Sequence, residues 1–219
     1  MEHGFLFRSF DFKGQKRHFV VYVPAEYTGK EEFPTILFLH GMGESGQDGV
    51  KQMWHGPARN LIYNRSRWPF LIVMPQKWDG RLAWTDEVEY LDEVLRRVDK
   101  EFKVDHHRRY LTGLSQGGYG TMALAKGLKW QFAAAAPVCG WTDDPKAAAG
   151  RLKDVPLWAF HGAKDNVVPA KGSEDVVAAL EDLKARPKLT IYPEDGHDSW
   201  THAYDEIELP KWFLSHRLD

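Results

Sequence analysis

The chain has 219 residues, 43% of them hydrophobic, with a single cysteine and a net charge of -2 at pH 7. That length and apolar content suit one compact domain with a substantial core, expected to span residues 1–219. Scattered Lys and Arg exclude the basic run that neutralises nucleic-acid phosphates, and a lone Cys139 excludes an internal disulfide or a paired-thiolate metal centre.

The stretch from Met1 to Phe12 lacks the charged start and unbroken apolar run of a signal peptide. No later stretch reaches the roughly 18 apolar residues that span a bilayer. The expectation is a soluble cytoplasmic chain without membrane contact, or a domain cut from a secreted precursor. Oligomeric state is left open.

Two β-rich stretches come first, Phe5–Phe12 and Arg17–Val23, separated by the turn-forming Lys13, Gly14 and Gln15. They read as antiparallel edge strands. From Thr35 the pattern changes to short apolar runs without alternation, at Ile36–Leu39, Phe70–Met74, Tyr110–Leu114, Phe132–Val138, Leu157–Phe160 and Leu189–Tyr192. Runs buried on both faces belong to a parallel sheet. A helix is predicted over Asp86–Phe102, where Val88, Leu91, Leu95, Val98 and Phe102 recur at helical spacing. Acidic residues at its start and basic residues near its end match the helix dipole. Alternating strands and helices imply right-handed βα units, with ligands bound beyond the carboxyl ends of the strands. The intervals leave little room for a lid, so an open, shallow site is expected.

The strand Tyr110–Leu114 runs into Gly113-Leu114-Ser115-Gln116-Gly117, and Gly118–Leu128 reads as a helix. G-x-S-x-G in a strand–turn–helix context holds a serine hydroxyl above a sheet on a turn too tight for neighbouring side chains. The alternative is a glycine-rich turn with an incidental serine. Serine is a weak nucleophile and needs an imidazole, itself oriented by a carboxylate. Asp165 follows the strand Leu157–Phe160, and His197 follows Leu189–Tyr192 in Asp195-Gly196-His197-Asp198. That gives the order nucleophile, acid, base. Asp143 and Asp144, after an earlier strand, are the rival acids. His40 and His161 also end strands, but precede the expected acid and read as loop-orienting groups. His106 and His107, beside Asp105, read as solvated loop residues rather than metal ligands, since no second ligand cluster has suitable spacing.

A tetrahedral intermediate needs backbone donors aimed at its oxyanion. The stretch His40-Gly41-Met42-Gly43 after Ile36–Leu39 is expected to supply the Met42 amide, and the residue after the nucleophile the Gln116 amide. Three of the nine tryptophans, Trp84, Trp141 and Trp200, fall beside these loops and are expected to form an apolar substrate wall.

With these residues in place, nearly the whole chain resembles the small, lidless esterases of the α/β-hydrolase superfamily, closest to feruloyl-esterase-like and phospholipase/carboxylesterase-like enzymes often labelled predicted peptidases. The likeness rests on Leu39-His40-Gly41-Met42-Gly43-Glu44, on Gly113-Leu114-Ser115-Gln116-Gly117-Gly118-Tyr119-Gly120, and on Ala136-Pro137-Val138-Cys139-Gly140. It rests further on His161-Gly162-Ala163-Lys164-Asp165 and Gly196-His197-Asp198-Ser199-Trp200. It implies an α/β-hydrolase fold: a mostly parallel central sheet with two N-terminal antiparallel edge strands, helices on both faces and no large lid. It implies hydrolysis, without cofactor or metal, of short-chain or aromatic acyl esters, including carbohydrate-linked ones. Gln116 departs from the methionine common in that branch and is closer to acyl-protein-thioesterase-like sequences, which bears on substrate preference. The same residues also suit a thioesterase or peptidase, and an inactive ligand-binding homologue is the reading from another class.

Overall fold

In the computed structural model, which describes residues 2–219, Gly4–Phe12 (β1) and Gln15–Val23 (β2) form an antiparallel hairpin in register from Gly4↔Val23 to Phe12↔Gln15. Lys13 and Gly14 close it with φ of 50° and 78°. Two successive left-handed residues make the type I′ turn, whose twist matches that of paired strands.

Six further strands follow: Phe33–Leu39 (β3), Leu71–Pro75 (β4), Val104–Leu114 (β5), Ala134–Val138 (β6), Trp158–Gly162 (β7) and Lys188–Tyr192 (β8). They join the hairpin in one sheet of order β1-β2-β4-β3-β5-β6-β7-β8. β2 pairs antiparallel with β4, and every neighbour from β4 to β8 is parallel. The sheet is thus mostly parallel with an antiparallel N-terminal pair, as expected, except that of this pair β1 alone is an edge strand, β8 being the edge on the other side. β2 is enclosed because its other side pairs Phe19–Tyr22 with Pro75–Ile72.

Strand side chains alternate between two cores. Leu37, Leu39, Val73 and Leu111 point into one, Ile36, Phe38, Ile72 and Tyr110 into the other. Val88–Glu101 (α2), Gln116–Leu124 (α3), Pro145–Leu152 (α4) and Lys171–Asp182 (α5) cover the first face. Pro57–Asn64 (α1), Trp200–Asp205 (α6) and Glu208–Leu214 (α7) cover the second. In α2, Tyr90, Leu91, Val94, Leu95 and Val98 form the buried stripe, each side chain contributing roughly 1.5–3 kcal/mol by leaving water. Asp86, just ahead of that helix, accepts a 2.8 Å hydrogen bond from the Ala83 amide.

β5 begins six residues earlier than the apolar run suggests, so His106 and His107 are strand residues, not loop residues. Their polarity is tolerated because this end of the strand reaches the surface. His107 Nδ1 lies 3.1 Å from the Leu218 carbonyl oxygen, and His106 meets Arg109. No helix among the described residues is long and apolar enough to cross a membrane.

Candidate active site

Parallel strands place their carboxyl ends on one edge of the sheet, where β3, β5, β6, β7 and β8 release the loops that carry His40, Ser115, Cys139, Asp165 and His197. Ser115 stands between β5 and α3 at φ 53° and ψ -118°, a strained conformation for a residue with a side chain. The packing around it admits no side chain at position 117. A Cβ on Gly117 would lie 1.9 Å from the Leu39 carbonyl oxygen, and one on Gly113 would lie 2.4 Å from the Gly117 carbonyl oxygen. The turn is held by the Ser115 amide, 3.0 Å from the Val138 oxygen.

The structure brings Ser115, His197 and Asp165 into one hydrogen-bonded chain. Ser115 Oγ lies 2.9 Å from His197 Nε2, and His197 Nδ1 lies 2.7 Å from Asp165 Oδ2. A carboxylate can only accept, so Nδ1 carries the imidazole proton and Nε2 accepts from the serine hydroxyl. The other Asp165 oxygen accepts the Val167 and Val168 amides, both at 2.9 Å. Burial alone would raise the Asp165 carboxyl; the bonds from His197, Val168 and Val167 outweigh it and leave the group below its ordinary range. The two loops are fastened to each other, Ala163 N to Tyr192 O at 2.9 Å and Lys164 N to Asp195 O at 2.8 Å. The rival acid Asp144 is spent elsewhere: its side chain caps α4 by accepting from the Ala147 amide.

Met42 opens a short 3-10 turn after β3, and Gln116 opens α3. First residues of helical turns have amides without an intrahelical acceptor, so both N–H groups stand free for an anion. Beside them lies a cleft of about 630 Å³ with Ser115 and Gln116 at its floor, walled by Met42, Trp141, Val167, Val168 and Pro169. Met42 and Val167 are 62% and 66% exposed, so the rim is apolar and open.

The three tryptophans part company. Trp141 lines the cleft, its ring 5.3 Å from that of Tyr119. Trp84 does not: it is wholly buried, packs over Gly120, and donates its indole N–H to the His40 carbonyl oxygen at 2.9 Å. Its place before α2 turns the ring inward against the sheet, where it supports the loop leading to Met42. Trp200 stands edge-on to the His197 ring at 5.2 Å and lines a separate depression with Asn60, Tyr63 and Asp205, outside the cleft. Val167, Val168 and Pro169 were the wall residues missed by sequence reasoning. Their signal is their place directly after Asp165, in the loop that leaves β7.

His40 is fully buried and held down to about 3 by burial, against its bond to the Gly41 oxygen. Its neutral ring accepts the Lys77 amide at Nε2 and faces the Gly41 carbonyl oxygen at Nδ1, 2.5 Å away. Cys139 Sγ lies with Asp165 and His197 within 4.8 Å. Burial pushes that thiol up to about 12, so it rests protonated beside the two side chains.

Comparisons with known proteins agree with this architecture. Residues 12–201 match the family model described as "Putative esterase". The bifunctional acetylxylan esterase/xylanase XynS20E of Neocallimastix patriciarum is 28% identical over 160 residues, covering 71% of this chain and 22% of that protein. Feruloyl esterase C of Emericella nidulans is 26% identical over 169 residues, covering 71% of this chain and 57% of that protein. The chain therefore spans between about a fifth and somewhat over half the length of these two relatives. A thermostable esterase crystal structure superposes with a TM-score of 0.82 at 27% identity, over 98% of this chain and 63% of that one. The S-formylglutathione hydrolase FrmB of Staphylococcus aureus shares the fold at 17% identity, with a TM-score of 0.76 and 96% of both chains covered. With its matched segment running from the first hairpin to the start of α6, the chain belongs to the esterase family that this model describes.

Proposed function

We propose that this chain is a one-domain serine carboxylesterase that cleaves short-chain or aromatic, feruloyl-type acyl esters through an acyl-enzyme. The observation that carries the proposal is the hydrogen-bonded chain Ser115–His197–Asp165, whose Ser115 lines a largely apolar cleft. Ser115 Oγ forms a bond to the ester carbonyl carbon as its proton passes to His197 Nε2. The carbonyl oxygen, now an anion, takes the free amides of Met42 and Gln116. Collapse of the intermediate breaks the bond to the alcohol oxygen, which takes the proton from His197. Water then repeats the sequence on the acyl-enzyme and releases the acid, with the proton returning to Ser115. Asp165 stays ionised throughout and holds the imidazole in the tautomer that can accept.

The cleft supports the choice of acyl group. Its walls are mostly apolar, with Lys171 the one charged residue among them, and its mouth is open, which suits a flat aromatic or short aliphatic acyl chain. The names of an acetylxylan esterase/xylanase and a feruloyl esterase among the relatives point the same way, and the open mouth leaves room for a carbohydrate-linked alcohol.

The test is the initial hydrolysis rate on aryl esters of increasing acyl length and on methyl ferulate, beside Ser115→Ala. The expected result is a preference for short or feruloyl groups and a loss of roughly 10⁴-fold or more in the variant. Activity that survives the substitution would overturn the assignment, and turnover confined to thioesters would move the substrate class.

A further inference from the structure

We infer that Lys77 is a positioning residue for the oxyanion site, a buried ammonium that fixes the loops presenting the Met42 and Gln116 amides. The inference rests on the assignment of Ser115 as nucleophile.

Lys77 lies two residues beyond β4 and is fully buried. Its ammonium donates to the Leu82 carbonyl oxygen at 2.5 Å and to the Gln116 side-chain oxygen. The other end of that amide donates from Nε2 to the Gly80 carbonyl oxygen at 3.2 Å. Residues 77–82 thus grip the Gln116 side chain at both ends, on the residue whose amide opens α3. The same loop presses on the second donor: a Cβ on Gly80 would lie 3.0 Å from Met42 Cγ and 3.2 Å from the Met42 carbonyl oxygen. The backbone of Lys77 completes the bracket, its N–H donating to His40 Nε2 and its carbonyl accepting from the Gly46 amide at 2.9 Å. One residue therefore bonds the segment carrying Met42 on both sides, at His40 and Gly46, and Gln116 through its side chain.

Packing alone does not explain a lysine here. Taking an ammonium out of water is expensive unless a partner charge compensates, and a methionine fills similar space without that penalty. No carboxylate lies within 4.0 Å of Nζ among the described residues. The charged groups facing it are Glu87 and Asp86 ahead of α2, Asp79 on its own loop and Glu44 on the turn after β3; His40 beside it is neutral, and the Trp84 ring lies 5.9 Å away. Burial outweighs those acids and brings the ammonium down to about 8. An ammonium that fixes the loops bearing both amides acts through the preorganisation of those donors, which lowers a barrier rather than tightening substrate binding.

Two variants separate charge from packing: Lys77→Met removes both charge and donor, and Lys77→Gln keeps a donor to Gln116. The readout is kcat and KM for an aryl acetate from pH 6 to 10, with thermal melts to establish folding and Ser115→Ala as the control. Both variants are expected to lose at least about tenfold in kcat, short of the 10²–10³ typical of deleting an oxyanion donor outright, with KM within about twofold. The wild-type rate should decline above pH 8 as the ammonium is lost, and that decline should vanish in both variants. Lys77→Gln should recover part of kcat but not the decline. Wild-type kcat and pH profile in both variants, with Ser115→Ala inactive, would overturn the role of Lys77 alone. Activity in Ser115→Ala would overturn the nucleophile first and this inference with it. If Lys77→Met does not fold, Gln116→Leu, which deletes the acceptor and keeps the backbone amide, is expected to show the same kcat loss; unchanged kcat there overturns the inference.

Discussion

His161 Nε2 lies 3.3 Å from Asp165 Oδ2, the same oxygen that meets His197 Nδ1 at 2.7 Å. Nε2 also lies 2.9 Å from the Val168 carbonyl oxygen. Facing two acceptors, that nitrogen carries a proton and donates. Burial lowers the group, so the ring is neutral and its Nδ1 accepts from the Ser173 hydroxyl at 2.8 Å. Asp165 Oδ2 therefore has two imidazoles beside it, and His161 helps fix the carboxylate that orients His197. In His161→Phe that N–H is lost and the carboxylate is held less firmly. The expected result is a loss of about tenfold in kcat/KM. His161→Gln, which keeps a donor, should lose less. Steady-state kinetics decide, and an unchanged kcat/KM in His161→Phe would sink the claim.

Asp165→Asn keeps the size of the acid but removes the charge that selects the imidazole tautomer. The expected loss in kcat/KM is roughly 10³–10⁴-fold, with KM little changed. A second consequence concerns stability. The Asp165 carboxyl titrates below its ordinary value of 3.8 in the folded chain, so its contribution is fully present above that value. It is lost as pH falls through the lower, folded value. Acid unfolding of Asp165→Asn should show a smaller loss of stability in that window than the parent. Identical acid-unfolding curves would show that the carboxylate adds nothing to the fold.

Below the loop that carries Lys77, Arg17 and Glu87 form a buried pair at 3.0 Å, with side chains only 4% and 5% exposed. The guanidinium stacks 3.7 Å from the Tyr90 ring centre and also reaches the Gln76 carbonyl oxygen. Glu87→Ala leaves that cation buried without its counter-charge, and about 3–5 kcal/mol of stability should go with it. Replacing both residues with methionine should restore most of the loss, since the desolvation penalty then disappears on both sides. Denaturant unfolding of the three proteins checks this; a double variant no better than the single would mean the pair itself is what stabilises.

The sheet was legible because burial on both faces leaves runs without alternation, as at Ile36–Leu39 and Phe70–Met74, and turn residues bound them. The start of β5 was not, because Asp105, His106 and Arg108 are polar and fall in an irregularity of the pairing with β3, between Phe33↔Val104 and Thr35↔Arg109, with strand on either side of them. Ser115, Asp165 and His197 could be placed near one another from chain order and strand ends alone, since parallel topology gathers those ends on one edge. What escaped depends on direction rather than position. Nothing local says that Trp84 turns inward, that Lys77 reaches across to Gln116 thirty-nine residues away, or that His161 shares an oxygen with His197.

Trp84 and Trp141 give the sharpest contrast between support and contact. Trp84 is wholly buried and bonded to the His40 carbonyl oxygen. Trp84→Phe should lose about 1 kcal/mol with that bond, and Trp84→Ala about 3–5 kcal/mol as a cavity opens. Neither should change the order of preference among esters of different acyl length. Trp141 instead presents its ring to the cleft, backed by Tyr119 and pressed from behind by Gly172. Trp141→Ala removes apolar wall that an aryl acyl group meets equally in ground and transition states. KM for methyl ferulate should therefore rise about five- to tenfold with kcat nearly constant, while acetyl ester kinetics barely move. Stability should fall by about 1 kcal/mol or less, since the ring is already partly in water. Equal losses on acetyl and feruloyl esters would place the acyl group elsewhere, and the face lined by Trp200 would become the wall to test.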